Sequence, residues 1–548
     1  MSSPPLPRAA LLALLVVSSA RLAAADPLGL QIDAWAEYRV DTTLIDPFEL
    51  GGHTVTRAMW TDQRLRTDWR LKHEGTVELN LQADFLSGVL FGDTGTYGID
   101  PSTNSGVSLA SKQPNTTTWE VGLREDGDPL DPDSYVPVLR GAEPVAINHA
   151  YADALLPIGL LRAGRQPLSY GANLSSHEGT RINRWGVSRF ADSVDRVLFA
   201  TKLDELYLAL RDGHAHQKNM SQDEGVIFAV FHDWLNQRSI FSVGDDTRQV
   251  GGALQLRRPK VVVAGSLIED LFLSAILIHL SDDRFGSTVW ALPLKAEGRL
   301  GPLALSTQLM PIYGRSREVS EGFAALSKTE ANSQKIRAVG AQAIADYDLG
   351  PTTLTLEVDY ASGDDDPRPT TPLTQFSFAR DLNVGLLLFE QILAFESARS
   401  AAVGIENLAG LGASSFPLTE VASDGRFHNA IALFPQVTVR LVDGPAQLLR
   451  WRSGVLFAWP AADGVVDPIM TVLGEDGDDI RDDAVNFHGG RPGRYYGTEI
   501  DQQLEWTFRQ HFIWTIEGAL LLPGSALENK HGQAVNAFLI DSRFTYLF

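Results

Sequence analysis

The sequence contains no cysteine, so disulfides, thiolate metal sites and a cysteine nucleophile play no part in what it does. It also lacks a helical membrane span after its first residues. A crossing helix needs about 20 consecutive apolar residues, and the nearest candidate, Val261 to Leu280, is broken by Glu269 and Asp270. Positive charge is scarce: 46 Lys and Arg stand against 68 Asp and Glu, a net of −22. Nucleic acid is therefore no general partner, because phosphate contact needs a basic footprint. Catalytic signatures are missing as well, with no His-Glu-x-x-His, no Gly-x-Ser-x-Gly and no phosphate-binding glycine loop. His177 and Glu178 follow Ser175 and Ser176 directly, and such neighbours on one loop make a poor triad. The expectation is no enzyme, no cofactor and no bound metal.

What is present begins with an export signal. Arg8 supplies a positive start, Ala9 to Ala20 an apolar stretch, and Ala23-Ala24-Ala25 a small-residue cleavage site before Asp26. Residues 1–25 read as a cleaved signal peptide and 26–548 as one domain, since no solenoid-length repeat and no Pro/Ser-rich linker divides the rest.

Within that domain, apolar and polar residues alternate over segments of about ten, the pattern of a wall with one face to lipid and one to a lumen. Val77, Leu79, Leu81, Ala83 and Phe85 oppose Glu78, Asn80, Gln82 and Asp84. Leu354, Leu356, Val358 and Tyr360 oppose Thr353, Thr355, Glu357 and Asp359, and Ile500, Gln502, Leu504, Trp506 and Phe508 oppose Glu499, Asp501, Gln503, Glu505 and Thr507. Links of a few residues, such as Pro157–Gly159 and Gly298–Pro302, alternate with long ones, such as Ser87–Glu143, Gly171–Asp192 and Ala461–Arg494. Trp69, Trp290, Trp459, Trp506 and Trp514 fall near strand ends, where interfacial aromatic girdles sit. The last candidate strand ends on Phe548, an aromatic of the kind that barrel-assembly machinery reads.

These features predict an all-β fold, a transmembrane antiparallel β-barrel in the bacterial outer membrane, with outer-membrane lipid and lipopolysaccharide as surroundings. About nineteen segments qualify as strands, including 205–212, 247–258 and 260–281, but a bacterial barrel has an even number. Eighteen is the expected count, with the misassigned segment in the first half. The 362–426 stretch breaks the pattern: Val384, Leu387, Leu388, Ile392, Leu393 and Phe395 within Asp381–Leu408 are spaced like a helix face. Such an insertion on an outer loop is either a plug or constriction folded inward, or a cap over the rim.

The lumen-facing positions carry both signs. Arg64, Arg66, Arg70, Arg162, Arg196, Arg211, Arg450, Arg452 and Arg509 lie among acids that include Glu78, Asp84, Glu357, Asp359, Glu499 and Asp501. Guanidinium forks opposite carboxylates are what a selective pore uses to orient anionic groups, while the alternative is mutual pairing in a filled barrel. Eighteen strands enclose more width than side chains close, which favours a conduit for an anionic or polar solute. The competing reading is a structural or adhesive protein with a blocked lumen, whose acidic loops (Asp364 to Asp366, Glu475 to Asp479, Asp482-Asp483) carry the function. Those acids suit Ca²⁺ in kind, but Glu475-Asp476-Gly477-Asp478-Asp479 lacks the spacing of a calcium loop.

Three stretches resemble the alginate-export family of outer-membrane barrels: Leu161-Arg-Ala-Gly-Arg-Gln-Pro-Leu-Ser-Tyr-Gly171, Val358-Asp-Tyr-Ala-Ser-Gly-Asp-Asp-Asp-Pro367, and Tyr496-Gly-Thr-Glu-Ile-Asp501 with the later Leu521-Leu-Pro-Gly-Ser525. The resemblance implies an eighteen-stranded barrel with an arginine-rich duct occluded by loops, export of an acidic saccharide, and periplasmic export partners. It would set Arg165 and Gln166 at a strand end near the mouth and turn Glu499 and Asp501 to the lumen. The chain differs from that pattern in its mixed lumen charge and in the Asp381–Leu408 stretch.

Overall fold

Strict alternation decides the architecture, because a strand that shows lipid one face and water the other can leave no unpaired edge in the membrane. In a computed structural model the chain closes into one antiparallel sheet. The structure describes residues 30–50, 53–55, 58–73, 76–92, 96–98, 106–108, 120–123, 135–138, 143–168, 174–176, 183–187, 192–212, 223–235, 247–318, 320–321, 330–366, 370–379, 382–393, 427–463, 486, 490–529 and 531–548. The expected signal peptide, the acidic runs at 475–483, the pair His177–Glu178 and residues 394–426 lie outside them.

The wall runs β1 (Leu30–Asp46), β2 (Ala58–His73), β3 (Val77–Gly92), β4 (Glu143–Leu156), β5 (Gly159–Pro167), β6 (Ser193–Lys202), β7 (Gly225–Trp234), β8 (Arg248–Val263) and β9 (Ser266–Asp282). It continues through β10 (Ser287–Ala291 and Leu294–Leu300), β11 (Leu303–Ser316), β12 (Gln334–Asp348), β13 (Thr352–Ala361), β14 (Ala430–Asp443), β15 (Gln447–Trp459), β16 (Gly497–Phe508), β17 (Phe512–Pro523) and β18 (Ala537–Leu547). The two runs of β10 pair with the same neighbours, β9 and β11, so they form one strand and the wall has eighteen. The break falls at Leu292-Pro293, where proline offers no N–H to the ladder. Closure comes from β1 against β18, from Glu37 opposite Leu547 to Asp46 opposite Phe538.

Leu79, Leu81, Val230, Leu254, Leu277, Leu356, Leu504 and Ile540 are exposed on the outside, while Asp62, Arg64, Arg66, Gln82, Asp84, Asp359 and Asp501 are buried on the inside. An apolar exterior around a polar interior is stable only in lipid, so the protein resides in the bacterial outer membrane. Among the described residues no helix is long and apolar enough to cross. Trp69, Trp506 and Trp514 lie toward the short-turn rim and Trp290 and Trp459 toward the long-loop rim. Short turns mark the periplasmic side of a bacterial barrel, so the long loops are external.

Two expected elements are corrected. Segment 205–212 is not a strand but most of helix α1 (Leu203–Asp212) on the periplasmic rim. Leu206, Leu208 and Leu210 alternate, yet Leu203, Leu206 and Leu210 also fit a helix face. Asp204 and Glu205 in the first turn, with Arg211 in the last, complement the helix dipole and favour the helix. Arg211 therefore faces no lumen and pairs with Asp212 at 2.7 Å. The boundary placed at Pro259 also moves. β8 runs through Pro259 opposite an unpaired Asp270 (φ 53°), and the turn is Ala264-Gly265, both at positive φ, as two-residue hairpins require.

Candidate lumen constriction

Lumen side chains form cross-strand ion pairs. Arg64 lies 2.7 Å from Glu37, Arg66 2.7 Å from Asp84, Arg70 3.0 Å from Glu78, Arg162 2.6 Å from Asp153 and Arg196 2.6 Å from Asp233. Arg66, Arg162 and Arg196 bind both carboxylate oxygens of their partners, the geometry that suits a guanidinium fork. Arg450 pairs with Glu505. Arg452 differs: among the described residues no carboxylate lies within ion-pair distance. Its guanidinium sits over the Trp185 ring at 5.6 Å, donates to Thr438 at 3.1 Å and also donates to the Arg184 carbonyl. The wall is thus largely charge-balanced rather than a ladder of free cations.

Arg165 stands at a strand end near the mouth, as expected, but does not serve the lumen as a selectivity residue, and Arg509 lies off the lumen face altogether. Arg165 stands directly opposite Asp195 and binds it at 3.0 Å, on the same face as exposed Leu161 and Val197. It is an outward residue at the external rim, while its neighbour Gln166 is buried inside and donates to the Arg196 carbonyl at 2.8 Å. Arg509 occupies the periplasmic turn between β16 and β17 with φ 50°, exposed beside Phe508. A one-residue difference reverses the face of a strand residue, and a turn residue has no face to inherit.

Glu499 and Asp501 do face inward, and both are fully buried. What buries them is the insertion after β13. Glu499 accepts N–H groups from Leu386 (2.7 Å), Leu387 (2.8 Å) and Leu388 (2.6 Å), a nest of successive backbone donors around one carboxylate. Gly385, at φ 75°, makes the bend; a Cβ there would press on Glu499 Oε1 at 2.9 Å. Beyond it Leu388–Leu393, the last described residues of the stretch spaced like a helix face, form a π-helical turn, and Leu388, Phe389, Ile392 and Leu393 are buried.

The segment lies inside the barrel because the wall there is lined with small and apolar groups. Phe376 packs where a Cβ on Gly340 would come within 2.2 Å of its ring. Phe427 contacts Phe378 and Phe389 at ring distances of 4.8 and 4.5 Å. A second inward piece, from the β5–β6 loop, completes the wedge. Trp185 is fully buried, stacks on Phe434 at 5.8 Å and donates to Gln436 at 3.0 Å. Asn383 donates to the Trp185 carbonyl at 3.0 Å, Gly186 N–H to Glu517 at 2.9 Å, and Arg184 binds Asp346 at 2.7 Å. Outside the membrane-spanning strands, burial pushes the Asp364 carboxyl up and the His428 imidazole down to about 4.

These pieces pack on β12–β18, and among the described residues none covers the β5–β9 wall opposite. A chamber of about 310 Å³ runs along β5–β9, lined by Arg162, Arg196, Lys202 and Gln255 together with apolar Leu198 and Phe231. Among the described residues no group of three or more His, Asp or Glu is placed to hold a metal ion.

No known protein family matches the chain, and no curated protein matches it either. Solved structures similar to it include three from Pseudomonas aeruginosa. OccK11 (OpdR) has a TM-score of 0.43 at 11% identity over 94% of this chain and 96% of that one. OccK2 (OpdF) in complex with glucuronate has 0.43 at 11% over 94% and 98%. OpdK with vanillate has 0.42 at 11% over 94% and 98%. The ligands belong to those proteins, and the fold of this chain rests on its own strand register: a closed eighteen-stranded outer-membrane barrel with an off-centre internal wedge.

Proposed function

We propose that the chain is an outer-membrane channel for small polar or anionic solutes, passing them along an off-centre lumen narrowed by 183–187, 376–379 and 382–393. The observation that carries this reading is the asymmetry of the interior. The wedge packs on one side of an eighteen-stranded wall, while the β5–β9 side keeps a chamber of about 310 Å³ with guanidinium and amide groups on it. Paired lumen charges offer a solute both donors and acceptors, and Arg452 adds a cation without a carboxylate partner among the described residues. Mild anion preference follows, rather than strong exclusion of cations.

The finer reading, export of an acidic saccharide with periplasmic partners, rests on the resemblance to the alginate-export family and on nothing in the wall geometry. Permeation into liposomes tests both levels. Entry of small sugars and sugar acids, with the acids faster, supports the channel, and block by an acidic oligosaccharide supports the finer reading. A second reading, a structural or adhesive barrel with a closed lumen, is favoured by the dry packing of Phe376, Phe378, Phe389 and Phe427. Liposomes that stay impermeable even after removal of 375–424 would select it.

A further inference from the structure

We propose that the external rim of β11 and β12 is a binding site for the phosphate groups of an outer-leaflet glycolipid. The register sets Arg315 directly opposite Lys335, and Tyr313 directly opposite Arg337. All three basic residues are exposed on the outward face. Like charges directly opposite across a strand pair destabilise it, yet among the described residues none of the three has an ion-pair partner. Another outward pair at the external rim, across β5 and β6, shows the usual remedy: Arg165 is matched by Asp195 at 3.0 Å.

The surroundings fit a lipid headgroup. Cross-strand neighbours extend the Arg315–Lys335 level through Thr288 and Ser281, which add hydroxyl donors. The level two residues deeper runs Arg337, Tyr313, Trp290 and His279. Tyr313 and Trp290 are 60% and 45% exposed, as aromatic side chains at the bilayer interface are. Cations just above an aromatic belt sit at headgroup height, where phosphates of the outer leaflet lie. The patch is one-sided, since the outward residues at the same ends of β13–β16 are Tyr360, Ile431, Trp459 and Thr498, without charge. An anionic lipid would therefore be held at one place on the circumference, independently of what passes through the lumen.

The test uses the full-length folded protein in detergent, with bisphosphorylated lipid A as probe and its dephosphorylated form as control, read by native mass spectrometry. The parent should retain the bisphosphorylated form selectively. Arg315→Gln/Lys335→Gln/Arg337→Gln should weaken it by roughly 100-fold, at about fivefold per cation, and each single variant by correspondingly less. Arg509→Gln, on the opposite rim, should bind like the parent. Equal binding by the triple variant, equal retention of the dephosphorylated form, equal weakening by Arg509→Gln, or displacement by equimolar inorganic phosphate would each overturn the proposal.

Discussion

Replacing Glu499 with glutamine should release the wedge. Its two carboxylate oxygens take three backbone N–H groups from Leu386, Leu387 and Leu388. Glutamine keeps one acceptor oxygen and turns an NH₂ group toward a donor it cannot satisfy. A hydrogen bond to a charged group is worth about 1.5–3 kcal/mol net, and a buried donor left unpaired costs about 1–3 kcal/mol. With partial relaxation the docked state should lose about 2–4 kcal/mol, or roughly 30- to 1000-fold in its population relative to the undocked state. Glu499 lies on β16, whose ladder to β15 and β17 is intact without its side chain, so the barrel should still fold and keep its heat-modifiable gel mobility. Single-channel recording should then show longer or larger openings than the parent. A folded variant with parent-like conductance and open time would refute the idea that this carboxylate holds the segment.

Three other outcomes follow from the same geometry. Arg450→Gln should shift selectivity toward cations by exposing Glu505, whereas Arg450→Gln/Glu505→Gln should return it close to the parent in reversal-potential measurements. Gly340→Ala should lower the thermal midpoint, because overpacking costs about 1–3 kcal/mol, and in a Phe376→Ala background the same change should have little effect. Burial holds His428 near 4 against an ordinary value near 6.5. Above pH 6.5 the group is neutral in both docked and released states and has no effect. Ser377 of the docked segment pairs with His428, so between pH 6.5 and 4 a released state that solvates the imidazole binds the proton, the docked state does not, and docking weakens. Conductance of the parent should therefore rise with acidification by more than that of His428→Gln.

Much of the wall was legible in the sequence because a period of two is a local property. Each strand shows its lipid and lumen faces in ten residues, and evenness of the count pointed to one false strand. That strand, 205–212, was ambiguous because its leucines satisfy both periods and only the end charges distinguish them. Pairing was less legible. Arg64 and Glu37 lie on different strands, and whether a guanidinium is free or neutralised depends on register, which one strand does not encode. Arg165 stands at the strand end that the motif implies, but a family-like motif says nothing about which side of the wall each of its residues faces.

The wedge left a signal that went unread. Ala338, Gly340, Ala432, Phe434, Gly454, Leu456 and Ala458 occupy lumen positions where polar residues are usual. A run of small and apolar residues on an inner face marks a surface that something else covers. Together with the leucine-rich 384–393 stretch, it identifies the segment and its dock, although the Glu499 nest requires three-dimensional geometry to see.

The most direct test of the central claim is single-channel conductance in planar bilayers of the refolded protein beside a variant lacking 375–424. The off-centre channel predicts small, mildly anion-selective openings in the parent and clearly larger ones after the deletion. Silence from both folded proteins would contradict it and move the function to the external loops.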